Sequence, residues 1–138
     1  MNRTKHSILT LAVFVTGALA SAIAIGAEVN VTLSGANEVP PAQTAASGRG
    51  KIMVGDDGTV SGIITTTGIA GTAAHIHMAA AGKNGPVIIP LTPKGDTFEV
   101  PAGAKLNAEQ MKAFKAGDLY VNVHTTAHPG GEIRGQLK

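Results

Sequence analysis

The sequence predicts an all-β protein, an antiparallel sandwich or barrel with one short helix. Three observations carry this. Apolar and polar residues alternate in short runs, glycine-rich turns separate the runs at spacings of roughly ten residues, and only one stretch has helical character. Without helices alternating with strands, a parallel α/β sheet is not expected.

The elements follow in chain order. In residues 28–33, Val29, Val31 and Leu33 alternate with Asn30 and Thr32, the period-two pattern of a half-buried strand. Residues 36–48 cannot be a central strand, because Pro40 and Pro41 lack backbone donors. Residues 49–54 form a second strand, and the turn at 55–58, with its Asp57-Gly58 pair, leads as a hairpin into a β-branched strand over 59–69. A fourth strand covers 73–78, and a glycine loop holding Asn84-Gly85 follows over 79–86. Two further strands, 87–91 and 97–101, are joined through residues 92–96. The helix is predicted around 108–115, with Asn107 as its cap and Gly117 as its stop. Strands at 119–125 and 131–137 close the chain.

Residues 1–27 read as a cleavable signal peptide ahead of one domain, 28–138. Arg3 and Lys5 give a positive start, residues 8–27 carry no charge, and small residues precede a cleavage point after Ala27, with Ala20 as a second candidate. The uncharged run is also long enough to span a bilayer, so an uncleaved anchor is the alternative. The expected location is therefore outside the cytoplasm, periplasmic or extracellular. The chain has no cysteine, which excludes a lipoprotein anchor and any disulfide. Without Arg3 and Lys5, the domain has nine basic and nine acidic residues. Nucleic acid is not an expected partner for a neutral domain, and no membrane span is expected after residue 27.

The chemistry concentrates in His75, His77, His124 and His128. His75 and His77 are two residues apart on a predicted strand, so they share a face, with β-carbons ~7 Å apart. Two imidazoles at that spacing can converge on one metal ion. On the strand 119–125, Tyr120, Asn122 and His124 share one face, while Leu119, Val121 and Val123 take the core face. His128 lies in the loop beyond. Three imidazoles with an open position suit Cu(II) or Zn(II), and His128 is a possible fourth ligand. Asn122 and Glu132 are candidates for orienting the imidazoles. Equally, strand histidines commonly do no more than hydrogen-bond to carbonyls or carboxylates. Glu38, Glu132 and Arg134 form either a structural charge set near the sandwich edge or solvated surface charges.

No nucleophile elbow, phosphate loop or facing carboxylate pair is present. Phe98, Phe114 and Tyr120 are the only aromatic residues after residue 27, too few for a stacking platform.

The segments LSGANEVPP (33–41), TAAHIHMAAAGKNGPVI (72–88) and LYVNVHTTAHPGGEIRGQL (119–137) together resemble the CHRD domain, named from chordin. The similarity runs over about residues 29–138 and rests on Glu38, Pro40, Pro41, His75, His77, Asn122, His124, Glu132, Arg134 and Gln136. It implies an immunoglobulin-like β-sandwich. It implies no enzymatic activity, and the growth-factor binding of chordin depends largely on its other modules. The chain also loosely resembles copper–zinc superoxide dismutase, a sandwich with an H-x-H strand, but it lacks the cysteine pair, the bridging histidine and the zinc-binding aspartate. A dismutase is therefore not expected. The expectation is an exported, non-enzymatic CHRD module that coordinates copper or zinc through its histidines. The alternative is a structural or interaction domain of the cell envelope with an envelope or extracellular protein as partner.

Overall fold

The computed structural model describes residues 26–138. The leader expected over 1–27 lies, through residue 25, outside the described residues. The fold is all-β and antiparallel. Its strands are β1 (Ala27–Ser34), β2 (Ser47–Val54), β3 (Val60–Thr67), β4 (Ala73–Met78), β5 (Val87–Pro90), β6 (Thr92–Lys94), β7 (Thr97–Glu99), β8 (Leu119–His124) and β9 (Ile133–Leu137). A helix α1 (Ala108–Ala116) connects β7 to β8.

The strands run in the order β5-β4-β8-β9-β1-β2-β3-β7-β6. This single sheet behaves as two layers, because β9 and β1 share only the Ser34–Arg134 pair. A four-stranded layer, β5-β4-β8-β9, thus turns a corner into a five-stranded layer, β1-β2-β3-β7-β6. At the far side Leu91 carries the chain from one layer to the other, its N–H donating to the Ala74 carbonyl at 2.9 Å.

Local chemistry explains the joints. In the β2–β3 hairpin, Asp57 Oδ1 accepts from Thr59 N–H (3.0 Å) and Thr59 Oγ1–H (2.7 Å), and Gly58 takes φ 86°, open to glycine at little cost. Helix α1 starts in a capping box, in which Asn107 Oδ1 accepts from Gln110 N–H and Gln110 Oε1 accepts from Asn107 N–H, both at 2.9 Å. The segment 92–96, expected as a plain connection, contains strand β6. Gly95 at φ 62° lets the chain double back within two residues, pairing Lys94 with Thr97. Pro93 is tolerated there because β6 is an edge strand.

Alternate residues of each layer meet between them. Val29, Val31, Leu33, Ile52, Ile64 and Phe98 face Ile76, Leu119, Val121, Val123, Ile133 and Leu137, nearly all fully buried. Each such side chain contributes about 1.5–3 kcal/mol by leaving water. The register then dictates the opposite face of the four-stranded layer. His75 pairs with Asn122 and Asn122 with Arg134, while His77 pairs with Tyr120 and Tyr120 with Gln136. The residues with polar groups therefore stand in two rows across β4, β8 and β9. Among the described residues, no helix is long and apolar enough to cross a membrane.

Candidate metal centre

Antiparallel pairing of β4 with β8 places His124 beside the His75/His77 pair. One ring nitrogen from each of His75, His77 and His124 lies within 4.8 Å of the other two. The ring centroids are 4.8 Å apart for His75–His124, 5.6 Å for His75–His77 and 6.3 Å for His77–His124.

The backbone sets two of the tautomers. His77 Nδ1–H donates to the Gly85 carbonyl at 2.9 Å, and His124 Nδ1–H donates to the Pro129 carbonyl at 2.9 Å. Each neutral ring therefore keeps a lone pair on Nε2. His124 Nε2 lies 3.0 Å from His75 Nδ1, which donates to it. His77 Nε2 is buried with no hydrogen-bond partner. A buried lone pair without a donor is costly unless something fills the position. Burial lowers the His75 pKa, and the neighbouring His124 and His77 lower it further. Burial also lowers that of His77, against the raising effects of the Gly85 hydrogen bond and of the adjoining Asn122 side chain. Both effects favour neutral, ligand-competent imidazoles at pH 7.

A stack braces the cluster. The His77 ring lies 4.7 Å from that of Tyr120 and within 5° of parallel, and the Arg134 guanidinium carbon lies 3.4 Å from the Tyr120 ring centre. Arg134, only 1% exposed, also donates to the Lys83 carbonyl (2.6 Å) and to Asn84 Oδ1 (3.1 Å). It thereby holds the loop whose Gly85 carbonyl orients His77. Gln136 adds a second anchor, donating to the carbonyls of Ala79 and Gly117.

The other sequence-predicted residues fall into place around this core. His128 does not join the cluster. It sits in the turn after β8, its N–H donating to Thr125 Oγ1, and it borders a cleft of about 460 Å³ with Glu38, Pro40, Pro41 and Pro129. The carboxylates and Arg134 are neither an ion-pair set nor solvated. Glu38, Glu132 and Arg134 are all buried, and among the described residues neither carboxylate lies within ion-pair distance of Arg134. Glu132 lies in the bend before β9 and accepts from the Thr125 and Thr44 hydroxyls instead. Those two bonds, Thr125 first, lower its pKa. Glu38 lies beside Asn122. Burial raises its pKa, opposed by the Asn122 amide and the Arg134 charge. Gly131, at φ 126°, leaves room for this approach, since a Cβ there would meet both Glu38 Oε1 and Asn122 Nδ2. Asn122 Oδ1 and Glu38 Oε1 are buried and unpartnered, like His77 Nε2.

Two features of the site escaped sequence reasoning. The strand period puts Tyr120 on the histidine face but gives it no role, and the orienting carbonyls of Gly85 and Pro129 have no side-chain signature. The glycine-rich loop 79–86 was the available hint to the first of these carbonyls.

The chain matches the CHRD domain over residues 29–137, nearly all of what the structure describes. It is a member of the CHRD domain family. Comparison with curated proteins and with solved structures finds no match. In this CHRD domain, the H-x-H strand and the Y-V-N-V-H strand that carry the family resemblance are the two adjacent strands that build the histidine cluster.

Proposed function

We propose that this CHRD domain is an exported, non-enzymatic binding module that coordinates a divalent transition-metal ion, copper or zinc, through His75, His77 and His124. One observation carries the reading. Three imidazole nitrogens converge, and backbone carbonyls hold two of the rings with Nε2 unprotonated, that of His77 buried without a partner and that of His124 accepting only from His75. Export is supported by the charged start and uncharged run of residues 1–27.

The test is a calorimetric titration of chelator-stripped protein with Cu(II) and Zn(II) at pH 7.4. One-to-one binding tighter than about micromolar, ~8 kcal/mol, is expected, with loss in the His75→Ala/His77→Ala double variant. Stoichiometric metal retained by that variant overturns the assignment.

The His77–Tyr120–Arg134 stack favours a second reading, a structural or interaction module whose histidines only brace the layer and whose partner is an envelope or extracellular protein. On that reading, His75→Ala lowers stability in chelator by about 1–3 kcal/mol, as for a lost buried hydrogen bond.

A further inference from the structure

The cleft of about 460 Å³ runs between residues 38–43 and residues 127–131. None of the three clustered histidines borders it, whereas Glu38, Pro40 and Pro41, which belong to the family motif, all do. Hydrogen bonds fix both walls. On one side Asn84 Nδ2 donates to the Val39 carbonyl at 2.9 Å. On the other, Gly131 N–H donates to the His128 carbonyl at 3.0 Å, and His128 N–H donates to Thr125 Oγ1 at 3.1 Å. Glu132 ties the walls together, accepting from Thr44 beside the first and from Thr125 beside the second. A preformed cleft of this size suits a small ligand and loses little in ordering when it binds one.

We infer that this cleft binds a primary ammonium group on a short aliphatic stem, as carried by a lysine side chain or by the first residue of a peptide, with Glu38 as its counter-ion. Glu38 is only 4% exposed, its Oε1 has no hydrogen-bond partner, and among the described residues no cation lies within ion-pair distance of it. A buried carboxylate so placed is costly until a cation or donor reaches it. Arg134 acts on it only from a distance, because Tyr120, Lys83 and Asn84 engage the guanidinium. No lysine or arginine borders the cleft, and the second buried carboxylate, Glu132, adds negative charge beside it. A positive ligand therefore meets an attractive field. Glu38 Oε1 packs against Gly131 and Asn122, so at most one carboxylate oxygen is open to the cleft. An ammonium needs one acceptor, whereas a guanidinium fork takes two. The rings of Pro40, Pro41 and Pro129 offer apolar surface to a methylene stem.

The experiment uses the full chain recovered from an exporting host, labelled with nitrogen-15 and kept in chelator at pH 7, so that metal plays no part. Butylammonium, alanine amide and guanidinium are titrated in turn at constant ionic strength, and the backbone amides are followed by nuclear magnetic resonance. Butylammonium or alanine amide should give saturable shifts centred on the two walls, Gly130 and Gly131 among them, with guanidinium binding more weakly. Tighter binding of butylammonium assigns the natural group to a lysine side chain, and tighter binding of alanine amide assigns it to a peptide's first residue. Glu38→Gln keeps the shape and should weaken binding about tenfold or more, the loss of one charge-assisted hydrogen bond. Gln43→Lys, at an exposed residue bordering the cleft, sets a rival cation there and should weaken binding severalfold. No saturable shift with either ammonium, guanidinium binding as tightly, or an unchanged affinity in a folded Glu38→Gln variant overturns the proposal. Should Glu38→Gln fail to fold, an unchanged affinity in Gln43→Lys overturns it instead.

Discussion

Replacing His77 with phenylalanine separates a ligand from a brace. The ring stack survives, because phenylalanine offers the same flat face to Tyr120 at 4.7 Å. Two polar terms change. The hydrogen bond from Nδ1 to the Gly85 carbonyl is lost, worth about 1 kcal/mol, and Gly85 is exposed enough for water to replace part of it. The buried, unpartnered Nε2 is also removed, which relieves about 1–3 kcal/mol of unmet desolvation. The metal-free variant should therefore be between unchanged and about 2 kcal/mol more stable than the parent, a rise of up to about 8 °C in Tm for a domain of this size. Urea unfolding at pH 7.5 in excess chelator measures the first quantity and calorimetry the second. The same variant should bind Cu(II) at least a hundredfold more weakly. A loss of more than about 1 kcal/mol in chelator would refute the reasoning, because it would mean that His77 earns its place through stability rather than ligation.

Other outcomes follow from the same geometry. Arg134→Met should lower stability by about 2 kcal/mol in urea unfolding, the balance of two hydrogen bonds and a ring stack against relief from burying a charge; an unchanged midpoint would show that the loop 79–86 holds itself. Gly131→Ala should cost about 2 kcal/mol or more, since φ is 126° and the added methyl would lie 2.6 Å from Asn122 Nδ2, and a thermal melt checks it. Stability in chelator should fall as the pH drops below about 6.5, because His75 and His77 have folded pKa values below their unfolded ones, so the unfolded chain takes up protons first. Glu38 acts in the opposite sense. Its raised pKa makes the folded state hold a proton that the unfolded state loses above about 4.5, so its contribution is largest at low pH and fades as pH rises through the folded value. A series of urea midpoints between pH 5 and 7.5 reads the sum. A His75→Phe/His77→Phe double variant should flatten the histidine part, and an equally steep profile would exclude both rings as its source.

The sequence by itself determined the local elements and the family. Alternation in 28–33, the Asp57-Gly58 turn, the Asn107 cap and the Gly117 stop are decided by neighbours a few residues apart, and the structure carries all of them. The strand period likewise placed His75 with His77, and Tyr120 and Asn122 with His124, on common faces. Local periodicity does not say which strand lies beside which. That β4 neighbours β8, joining His124 to the pair, follows from how two layers bury their apolar faces, a property of the whole chain. The same packing left His128 in a turn and drew Glu38, Glu132 and Arg134 into the interior, each to a different partner. It also made the polar face of β8 a covered one, with Tyr120 and Asn122 as buried as the core. The carbonyls of Gly85 and Pro129 were beyond any reading of side chains, because every residue has one and only the tertiary fold aims these two at an imidazole.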